Sequence, residues 1–532
     1  MKLTRGIFLA GLLVMSGCAG QAKLVAPENG GAGWTELESE HFVLRTDLAP
    51  DEAHAYSTFL EQSYDALVQA AFPSMKDTRP IVVINFANRD ELTTFLPASA
   101  AGQMMSMPND LEEERAIVTA GTAYGADNDG KPYARSESRV HFRHELAHFM
   151  LHRTTEHVPV WYDEGLAEYY SSAFVEDGQI VVGDAPFTIR VDFDEIPSVH
   201  ELTHLDEAAF YVGFEMGKIN RARERKTELY YIGAWWLVHM LKHGPPEVTS
   251  RFAKVLDAIA HDVPFEKAWN EIMLPGFEGT LEQRFRSYLR QPKFALARTR
   301  YVDMKTDAMP SERGMSAFEV HLLWARLVGW RTESGGRGLA ELKEAADLRP
   351  DAPEIAYYRG VEDLQHREYD GAIASFQSAH ARAPGEPTFL LGLAEAQLTA
   401  DAARGDQKLA DFFATIASLE PIASTPSELK EVAKAYLARR NFVKAGALID
   451  RALTIDPMCT SCTLIRARVS DEAGASEDAV RFQKRAIALF PEYARPRKLF
   501  DDLTAFEAHA KARQKKMETT NPAAAPAPSP NQ

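Results

Sequence analysis

Histidine is a common metal ligand, and His144 and His148 lie four positions apart, with Glu145 between them. On a helix, residues four apart lie about 40° from each other around the axis, so both imidazole rings can reach one ion. Glu145 then points beside that ion rather than at it. This H-E-x-x-H arrangement predicts that the histidines bind Zn²⁺ and that Glu145 is the general base of a hydrolysis. None of the three cysteines lies near the motif, so we expect no thiolate ligand.

A third zinc ligand is expected in the segment Pro159–Tyr169, because a catalytic zinc site needs three protein ligands and one position for water. Here the chain resembles the gluzincin metallopeptidases, particularly the aminopeptidase N-like and peptidase MA-like families, whose W-x-x-E-G-x-A motif carries the third ligand on the next helix. The match falls on Trp161, Glu164, Gly165 and Ala167. The resemblance implies that Glu164 is the third ligand and that the small residues after it let the two site helices pack closely.

Further residues of the predicted site lie after Glu164. Glu168 follows one helical turn later, on the same face, and is placed to accept a hydrogen bond from the outer nitrogen of a ligating histidine. Aminopeptidase N-like enzymes stabilise the oxyanion with a tyrosine from a Y-x-x-G pattern, and the resemblance implies Tyr230, at that offset from Gly233, as this donor. Tyr231 is the alternative donor, and both tyrosines could instead be packing residues.

The predicted reaction is the hydrolysis of a peptide bond. Zinc on the three ligands lowers the pKa of its bound water from 15.7 towards about 7. Glu145 takes the proton of that water and passes it to the leaving amine. The metal and Tyr230 share the charge of the tetrahedral intermediate. In such folds an edge strand before the motif helix often holds the substrate, and Arg115–Ala120 is the candidate.

Two departures from the aminopeptidase N pattern narrow this expectation. The loop between His148 and Glu164 holds 15 residues, and no G-x-M-E-N segment precedes the motif. That segment holds the free amino end of a substrate in those enzymes, so we expect an endopeptidase rather than an aminopeptidase. His141, His152 and His157 lie nearby, but none has a spacing that requires a metal role.

The first 18 residues are predicted to be a targeting segment. A basic start precedes the apolar run Gly6–Val14, which is too short for a transmembrane helix. Met15–Cys18 resembles a bacterial lipobox, which implies cleavage before Cys18 and lipidation of that residue. The alternative is an ordinary signal peptide cut near Gly20. Because Ala19 follows the cysteine, the resemblance implies an anchor on the periplasmic side of the outer membrane.

Strands followed by helices predict an α+β domain in residues 34–300. The predicted strands include Pro80–Phe86 and Arg115–Ala120, and Gln179–Val182 could pair with Thr188–Val191 as a hairpin. Ala98–Asp110, with three methionines, is expected to be a loop. Residues 19–33 are predicted to be a tether.

Regularly spaced prolines predict an all-α repeat array in the C-terminal part. The spacings are 34, 37, 36 and 34 between Pro350, Pro384, Pro421, Pro457 and Pro491. Small residues stand 24, 12 and 5 positions before three of these prolines: Gly360, Ala372, Ala379, Ala433, Ala445, Ala452, Ala467, Ala479 and Ala486. This resembles tetratricopeptide repeats, which implies an all-α solenoid over residues 315–517, ending in a capping helix, before a disordered tail at 518–532. Cys459 and Cys462 are expected to be a structural disulfide or two unreactive thiols.

The leading hypothesis is therefore a membrane-anchored zinc metallopeptidase of envelope proteins or peptides, whose repeats recruit a substrate or a protein partner. The alternative is a repeat-based assembly scaffold with an inactive protease-like domain. The net charge of −17 argues against a nucleic-acid partner. Zinc-dependent hydrolysis of a non-protein amide is a third possibility.

Overall fold

The computed structural model describes residues 25–73, 75, 80–92, 94–95, 102–106, 115–121, 137–155, 158–185, 192–211, 221–261, 263–277, 279–291, 295–303, 309–328, 337–405, 409–457, 459–489 and 499–520. The predicted lipobox and the predicted hairpin strand at 188–191 lie outside these residues. Within the described ranges, no helix has both the length and the hydropathy needed to cross a bilayer.

Nine strands form two sheets in the described N-terminal region. They are β1 (Trp34–Glu38), β2 (Phe42–Thr46), β3 (Ile81–Phe86), β4 (Gly102–Ser106), β5 (Arg115–Ala120), β6 (Phe174–Glu176), β7 (Gln179–Val182), β8 (Ala297–Arg300) and β9 (Ser311–Met315). The larger sheet has the order β4-β5-β3-β2-β1-β9, with β2, β3 and β5 parallel and the other neighbours antiparallel. The smaller sheet is antiparallel, in the order β6-β7-β8.

Helices of the same region surround these sheets. They are α1 (Pro50–Ala70), α2 (Arg89–Leu92), α3 (Glu137–Thr154), α4 (Val160–Ser171), α5 (Val199–Thr203), α6 (Glu207–Phe210), α7 (Arg221–His243), α8 (Pro246–Ala260), α9 (Phe265–Ala268), which continues as a π-helical turn at Trp269–Met273, and α10 (Leu281–Leu289). Short 3₁₀ structure at Pro27–Asn29 precedes β1. Residues 25–33 of the segment predicted as a tether contain this 3₁₀ structure, and Ala26 is buried.

Two predictions about the sheet are corrected. Ala98–Asp110 was expected to be a loop, but it contains β4, which lacks the β-branched run that identifies a strand in a sequence. Arg115–Ala120 was expected to be an edge strand, but β5 pairs with β3 on one side and with β4 on the other. Among the described strands, β4 and β9 form the two edges of the larger sheet.

Repeat helices follow β9. They are α11 (Ala317–Val328), α12 (Arg337–Leu348), α13 (Pro353–Gln365), α14 (Tyr369–Arg382), α15 (Pro387–Arg404), α16 (Ala410–Leu419), α17 (Pro426–Ala438), α18 (Phe442–Ile455), α19 (Thr460–Ala473), α20 (Ser476–Leu489) and the final α21 (Leu499–Thr520). Consecutive helices pair, and each pair packs on the next pair. The prediction of an all-α repeat solenoid is confirmed.

Small residues at the predicted positions explain why these helices approach closely. Every alanine predicted from the proline spacing is fully buried, as at Ala372, Ala445 and Ala479. At Gly360 a Cβ atom would lie 2.9 Å from the Phe376 ring, so the pair α13–α14 leaves no room for a side chain there. The repeat pattern therefore reflects packing between the two helices of each pair.

The two faces of the larger sheet pack against different parts of the chain, because side chains alternate along each strand. Val83 and Ile117 belong to the core that includes α1 and α3. Val82 and Ile84 face the other way and pack with Trp324 of α11. The first repeat helix therefore covers one face of the sheet, and β9 completes its edge, so residues 301–316 do not separate two independent bodies.

Gly165 shows how closely α4 packs on α7. A Cβ atom at this position would lie 2.5 Å from the carbonyl oxygen of Ala234 and 2.9 Å from a methyl group of Val238. The small residue after Glu164 therefore lets α4 approach α7, rather than α3 as the sequence suggested. This contact sets the position of α4, which carries part of the site.

We predict that Gly165→Ala lowers the free energy of unfolding by about 2 kcal/mol, because the added methyl group meets backbone atoms that cannot turn away. Urea unfolding followed by tryptophan fluorescence measures the change. Gly446→Ala in α18 is the matched control, since its Cβ would meet Val469 Cγ1 only at 3.8 Å, and better helix propensity should add about 0.5 kcal/mol. Equal destabilisation by both substitutions would contradict the close approach of α4 and α7.

A buried histidine ties the first two repeat helices to the segment before β1. His321 Nδ1 lies 2.7 Å from Glu341 Oε2, and its Nε2 lies 2.9 Å from Glu28 Oε1. Burial lowers the pKa of His321, but the two carboxylates outweigh burial and raise it above its ordinary value. A histidine whose pKa is raised on folding stabilises fully below its unfolded pKa and loses that effect as the pH rises through the folded pKa.

We therefore predict that His321→Gln destabilises the protein by about 2 kcal/mol at pH 6, where the imidazolium forms two charged hydrogen bonds, and by less at pH 9. Thermal unfolding of both proteins at the two pH values measures the difference. A loss that is the same at pH 6 and pH 9 would show that the charge of His321 does not contribute.

Candidate functional site

Helices α3 and α4 bring the three predicted zinc ligands together. His144 and His148 lie one turn apart on α3, and Glu164 lies in the first half of α4. The three side chains are largely buried, with exposures of 12%, 10% and 5%. Three potential metal ligands therefore meet beneath the protein surface.

The three inward-pointing atoms have the spacing of zinc ligands. His144 Nε2 and His148 Nε2 are 3.1 Å apart, and Glu164 Oε2 lies 3.3 and 3.4 Å from them. In a tetrahedral zinc site with ligand bonds of 2.0–2.1 Å, two donor atoms lie about 3.3 Å apart. The residues present therefore fit a zinc ion without any change in their separation.

Glu164 reaches the cluster with only one of its oxygens. Oε1 accepts a hydrogen bond from the Tyr211 hydroxyl, whereas Oε2 is buried and has no hydrogen-bond partner among the described residues. A buried carboxylate oxygen without a partner is costly unless a cation or a proton is bound there. Oε2 faces His144 and His148 at 3.3 and 3.4 Å, so its charge is balanced by protons on those histidines or by a cation between the three residues.

The charges within the cluster are strongly coupled. Burial raises the pKa of the Glu164 carboxyl, but His148 and His144 outweigh burial and lower it to about 2. Burial lowers the pKa of His148, but Asp163 and Glu164 outweigh burial and hold it well above its ordinary value. Without a metal, protons balance the carboxylates, and a bound cation would take their place.

Two carboxylates contact the outer nitrogens of the histidines. Asp163 Oδ1 lies 2.5 Å from His148 Nδ1, and Asp163 Oδ2 lies 2.7 Å from His152 Nε2. Glu168 Oε1 lies 3.6 Å from His144 Nδ1. Glu168 is thus placed beside a ligating histidine as expected, at ion-pair rather than hydrogen-bond distance.

Sequence reasoning missed Asp163, Tyr211 and the contact of His152. His152 lies four residues after His148, so its position on the same helix face was a usable signal. Asp163 directly precedes Glu164 and gave the same kind of signal. Tyr211 reaches Glu164 across 47 positions, and no local pattern indicates such a contact.

Glu145, the predicted general base, lies beside the cluster on α3. Its negative charge contributes to raising the pKa of Glu168 and of Tyr231, after burial and the charge of Glu164. Its side chain is partly exposed, as is that of His144. Glu145 can therefore meet both the site and solvent.

The tyrosine at the site is not the one favoured from sequence. The Tyr230 hydroxyl donates to Glu201 Oε1 at 3.1 Å, whereas the Tyr231 ring lies 6.3 Å from the His144 ring. Consecutive residues on a helix point about 100° apart, so only one of the two can face α4. Tyr231, the alternative donor, is therefore the tyrosine whose ring lies beside His144, and the role of either residue stays a prediction.

The H-E-x-x-H pattern occurs a second time, at His200–His204. Both histidines are exposed, His200 on the short helix α5 and His204 directly after its end, and His204 Nδ1 donates to the carbonyl oxygen of His200 at 2.8 Å. Within the described ranges, neither histidine belongs to a group of three potential metal ligands. The glutamate of this pattern, Glu201, is the partner of Tyr230.

The remaining predicted residues lie elsewhere. Cys18, the predicted lipidation site, is outside the described residues. Cys459 and Cys462 form a buried disulfide at the start of α19. Neither cysteine belongs to a metal-ligand group in the part of the chain that the structure describes.

The solved structures that are similar to this chain include the repeat proteins described below. No family model and no curated protein matches the chain. A thermophilic TPR protein of Thermus thermophilus is 16% identical, with 36% of this chain and 98% of that chain covered and a TM-score of 0.30. PilW, a type IV pilus biogenesis factor, is 16% identical, with 37% and 94% covered and a TM-score of 0.28. YrrB, a TPR protein with an unusual peptide-binding site, is 16% identical, with 36% and 90% covered and a TM-score of 0.24.

The assignment of the chain to the gluzincin metallopeptidases is wrong, because the structures that the chain resembles are repeat proteins. That assignment relied on motifs within residues 144–169. Those motifs describe a pair of helices with metal-binding side chains, and such sites occur on unrelated folds.

We predict that the purified chain binds one zinc ion and that His148→Ala and Glu164→Ala each abolish this binding, because two donors cannot hold the ion as three do. Elemental analysis after dialysis against a weak chelator measures the content. His200→Ala combined with His204→Ala is the matched control and should retain one zinc ion. Loss of zinc from the control, with retention in the first two variants, would assign the ion to α5 instead.

Proposed function

We propose that this chain is a repeat-based scaffold that holds a protein or peptide partner and that its N-terminal region is a zinc-dependent hydrolase of peptide bonds. The observation that carries the enzymatic part is the triangle formed by His144 Nε2, His148 Nε2 and Glu164 Oε2, with separations of 3.1–3.4 Å. The scaffold part is supported by the paired helices α11–α20, because stacked repeats form extended concave surfaces that bind peptides.

Zinc at this site would act as a Lewis acid on the scissile carbonyl and would make a water molecule more acidic. Glu145 removes a proton from the attacking water and delivers it to the leaving amine, and its partly exposed side chain permits this exchange. The Tyr231 hydroxyl is the candidate hydrogen-bond donor to the developing oxyanion. Its pKa is raised well above the ordinary value by burial and by Glu164, so it stays protonated and able to donate.

The sheet suggests how an extended substrate binds. Among the described strands, β4 is an edge of the larger sheet, and α3 lies next to it. Backbone groups of an edge strand can pair with an added peptide strand. β4 therefore replaces Arg115–Ala120 as the candidate substrate strand. Binding of an extended segment along β4 agrees with cleavage inside a chain rather than at its amino end.

The lipobox-like Met15–Cys18 supports a lipid-anchored location at the periplasmic face of the outer membrane, with envelope proteins or peptides as substrates. An oxidising compartment also agrees with the disulfide between Cys459 and Cys462.

A second function is a scaffold whose zinc ion is purely structural. The paired repeat helices α11–α20 favour it, because a stacked array can bind a partner without any catalytic residue. Both functions require zinc, and only the first requires Glu145.

We predict that Glu145→Gln retains zinc but lowers the rate of peptide hydrolysis by about 10²–10⁴-fold, the contribution of a general base. The substrates are fluorogenic peptides with blocked amino ends, which only an endopeptidase cleaves. Glu201→Gln, the same change in the second H-E-x-x-H pattern, should cleave like the wild type. Comparative proteomics of envelope proteins from cells carrying either variant identifies the natural substrates. If the wild-type protein binds zinc but cleaves neither the peptides nor any envelope protein, the hydrolase function is refuted and the scaffold function remains.

A further inference from the structure

His148 uses both of its ring nitrogens. Nε2 points to His144 and Glu164, and Nδ1 lies 2.5 Å from Asp163 Oδ1. A carboxylate can only accept, so Nδ1 carries a proton, and Nε2 is the nitrogen of His148 that can bind a cation in the cluster. Asp163 therefore determines which nitrogen of His148 is available to a metal.

Asp163 contacts a further histidine through its other oxygen. Oδ2 lies 2.7 Å from His152 Nε2, and the exposed fractions are 19% for Asp163 and 30% for His152. His148 and His152 lie one turn apart on α3, so the carboxylate of α4 spans one turn of the neighbouring helix. Three side chains thus form a continuous chain from the cluster towards the surface.

The distances show that this chain is not a second metal site. His148, His152 and Asp163 also bring three potential ligand atoms close together. Their contacts of 2.5 and 2.7 Å are hydrogen bonds, whereas two ligands of one zinc ion lie about 3.3 Å apart. The separations between His144, His148 and Glu164 fit three ligands of one cation. The shorter separations at Asp163 fit hydrogen bonds from protonated histidine nitrogens.

We infer that Asp163 and His152 are positioning residues that fix the tautomer and the ring orientation of His148 and thereby set the zinc affinity. The inference rests on the zinc site of the proposed function. Asp163 accepts one hydrogen bond on each oxygen, so its carboxylate cannot rotate without breaking one of them. His152 holds the outer oxygen and keeps the inner oxygen directed at His148. Outer partners of metal-bound histidines typically change metal affinity by about 10–100-fold.

The experiment measures zinc affinity of the full chain by competition with a chromogenic chelator. Asp163→Asn should weaken zinc binding by about 10–100-fold, and His152→Ala by on the order of 10-fold. His152→Gln should restore most of the affinity, because its amide N–H can donate to Asp163 Oδ2. Glu168→Gln is the matched comparison and should have a smaller effect, since Glu168 lies 3.6 Å from its histidine.

A second readout separates positioning from general stability. In zinc-loaded protein labelled with ¹⁵N at histidine, His148 should show a single form protonated at Nδ1 in the wild type and a mixture in Asp163→Asn. Circular dichroism checks that the variants are folded, and the partly exposed His152 carries the test where Asp163→Asn does not fold.

The outcomes separate this inference from the proposed function. Wild-type affinity in Asp163→Asn and His152→Ala, with an unchanged tautomer, would overturn the positioning role. A wild-type chain that binds no zinc would instead overturn the site itself. A chain that binds zinc and depends on Asp163, but cleaves no peptide, would refute the hydrolase and support the positioning role.

Discussion

Two imidazole nitrogens and a carboxylate oxygen lie within 3.4 Å of one another, and they repel each other unless protons or another positive charge lie between them. His148 cannot relieve this by turning, because Asp163 holds its outer nitrogen, and Glu164 cannot, because Tyr211 holds its other oxygen. The surrounding contacts therefore keep in place an arrangement that needs protons or a cation. The cost of that arrangement must be met by packing elsewhere.

That packing comes from α4 and the helices on either side of it. α3 supplies the two histidines and also covers one face of the larger sheet, so the position of the histidines follows from the sheet. Gly165 lets the backbone of α7 approach α4 directly behind Glu164. On the opposite face of the sheet, Trp324 belongs to the first repeat helix and packs with Val82 and Ile84. The helices that carry the His144–His148–Glu164 cluster and the repeats are therefore built on the two sides of one sheet.

The parts that sequence predicted well are those determined by repeated local constraints. Every repeat needs small residues where its helices cross, so positions such as Ala445 recur at fixed distances from a proline and identify the array. The spacing of His144 and His148 likewise reports one helix face. Contacts between distant segments leave no such pattern: Tyr211 meets Glu164 from 47 positions away, and β9 joins β1 from the far end of the domain. Tyr230 and Tyr231 are adjacent, and only the packing of α7 decides which one faces the site.

The two H-E-x-x-H patterns show what a motif leaves undetermined. At His144–His148 the helix continues for several residues on both sides, so both rings are held at fixed angles and a neighbouring helix can deliver Glu164. At His200–His204 the helix has five residues and ends before the second histidine, whose Nδ1 bonds to a backbone carbonyl. The same five-residue pattern thus gives a buried cluster in one place and an exposed pair in the other. The third donor and the length of the supporting helix, rather than the motif, distinguish a metal site from a coincidence.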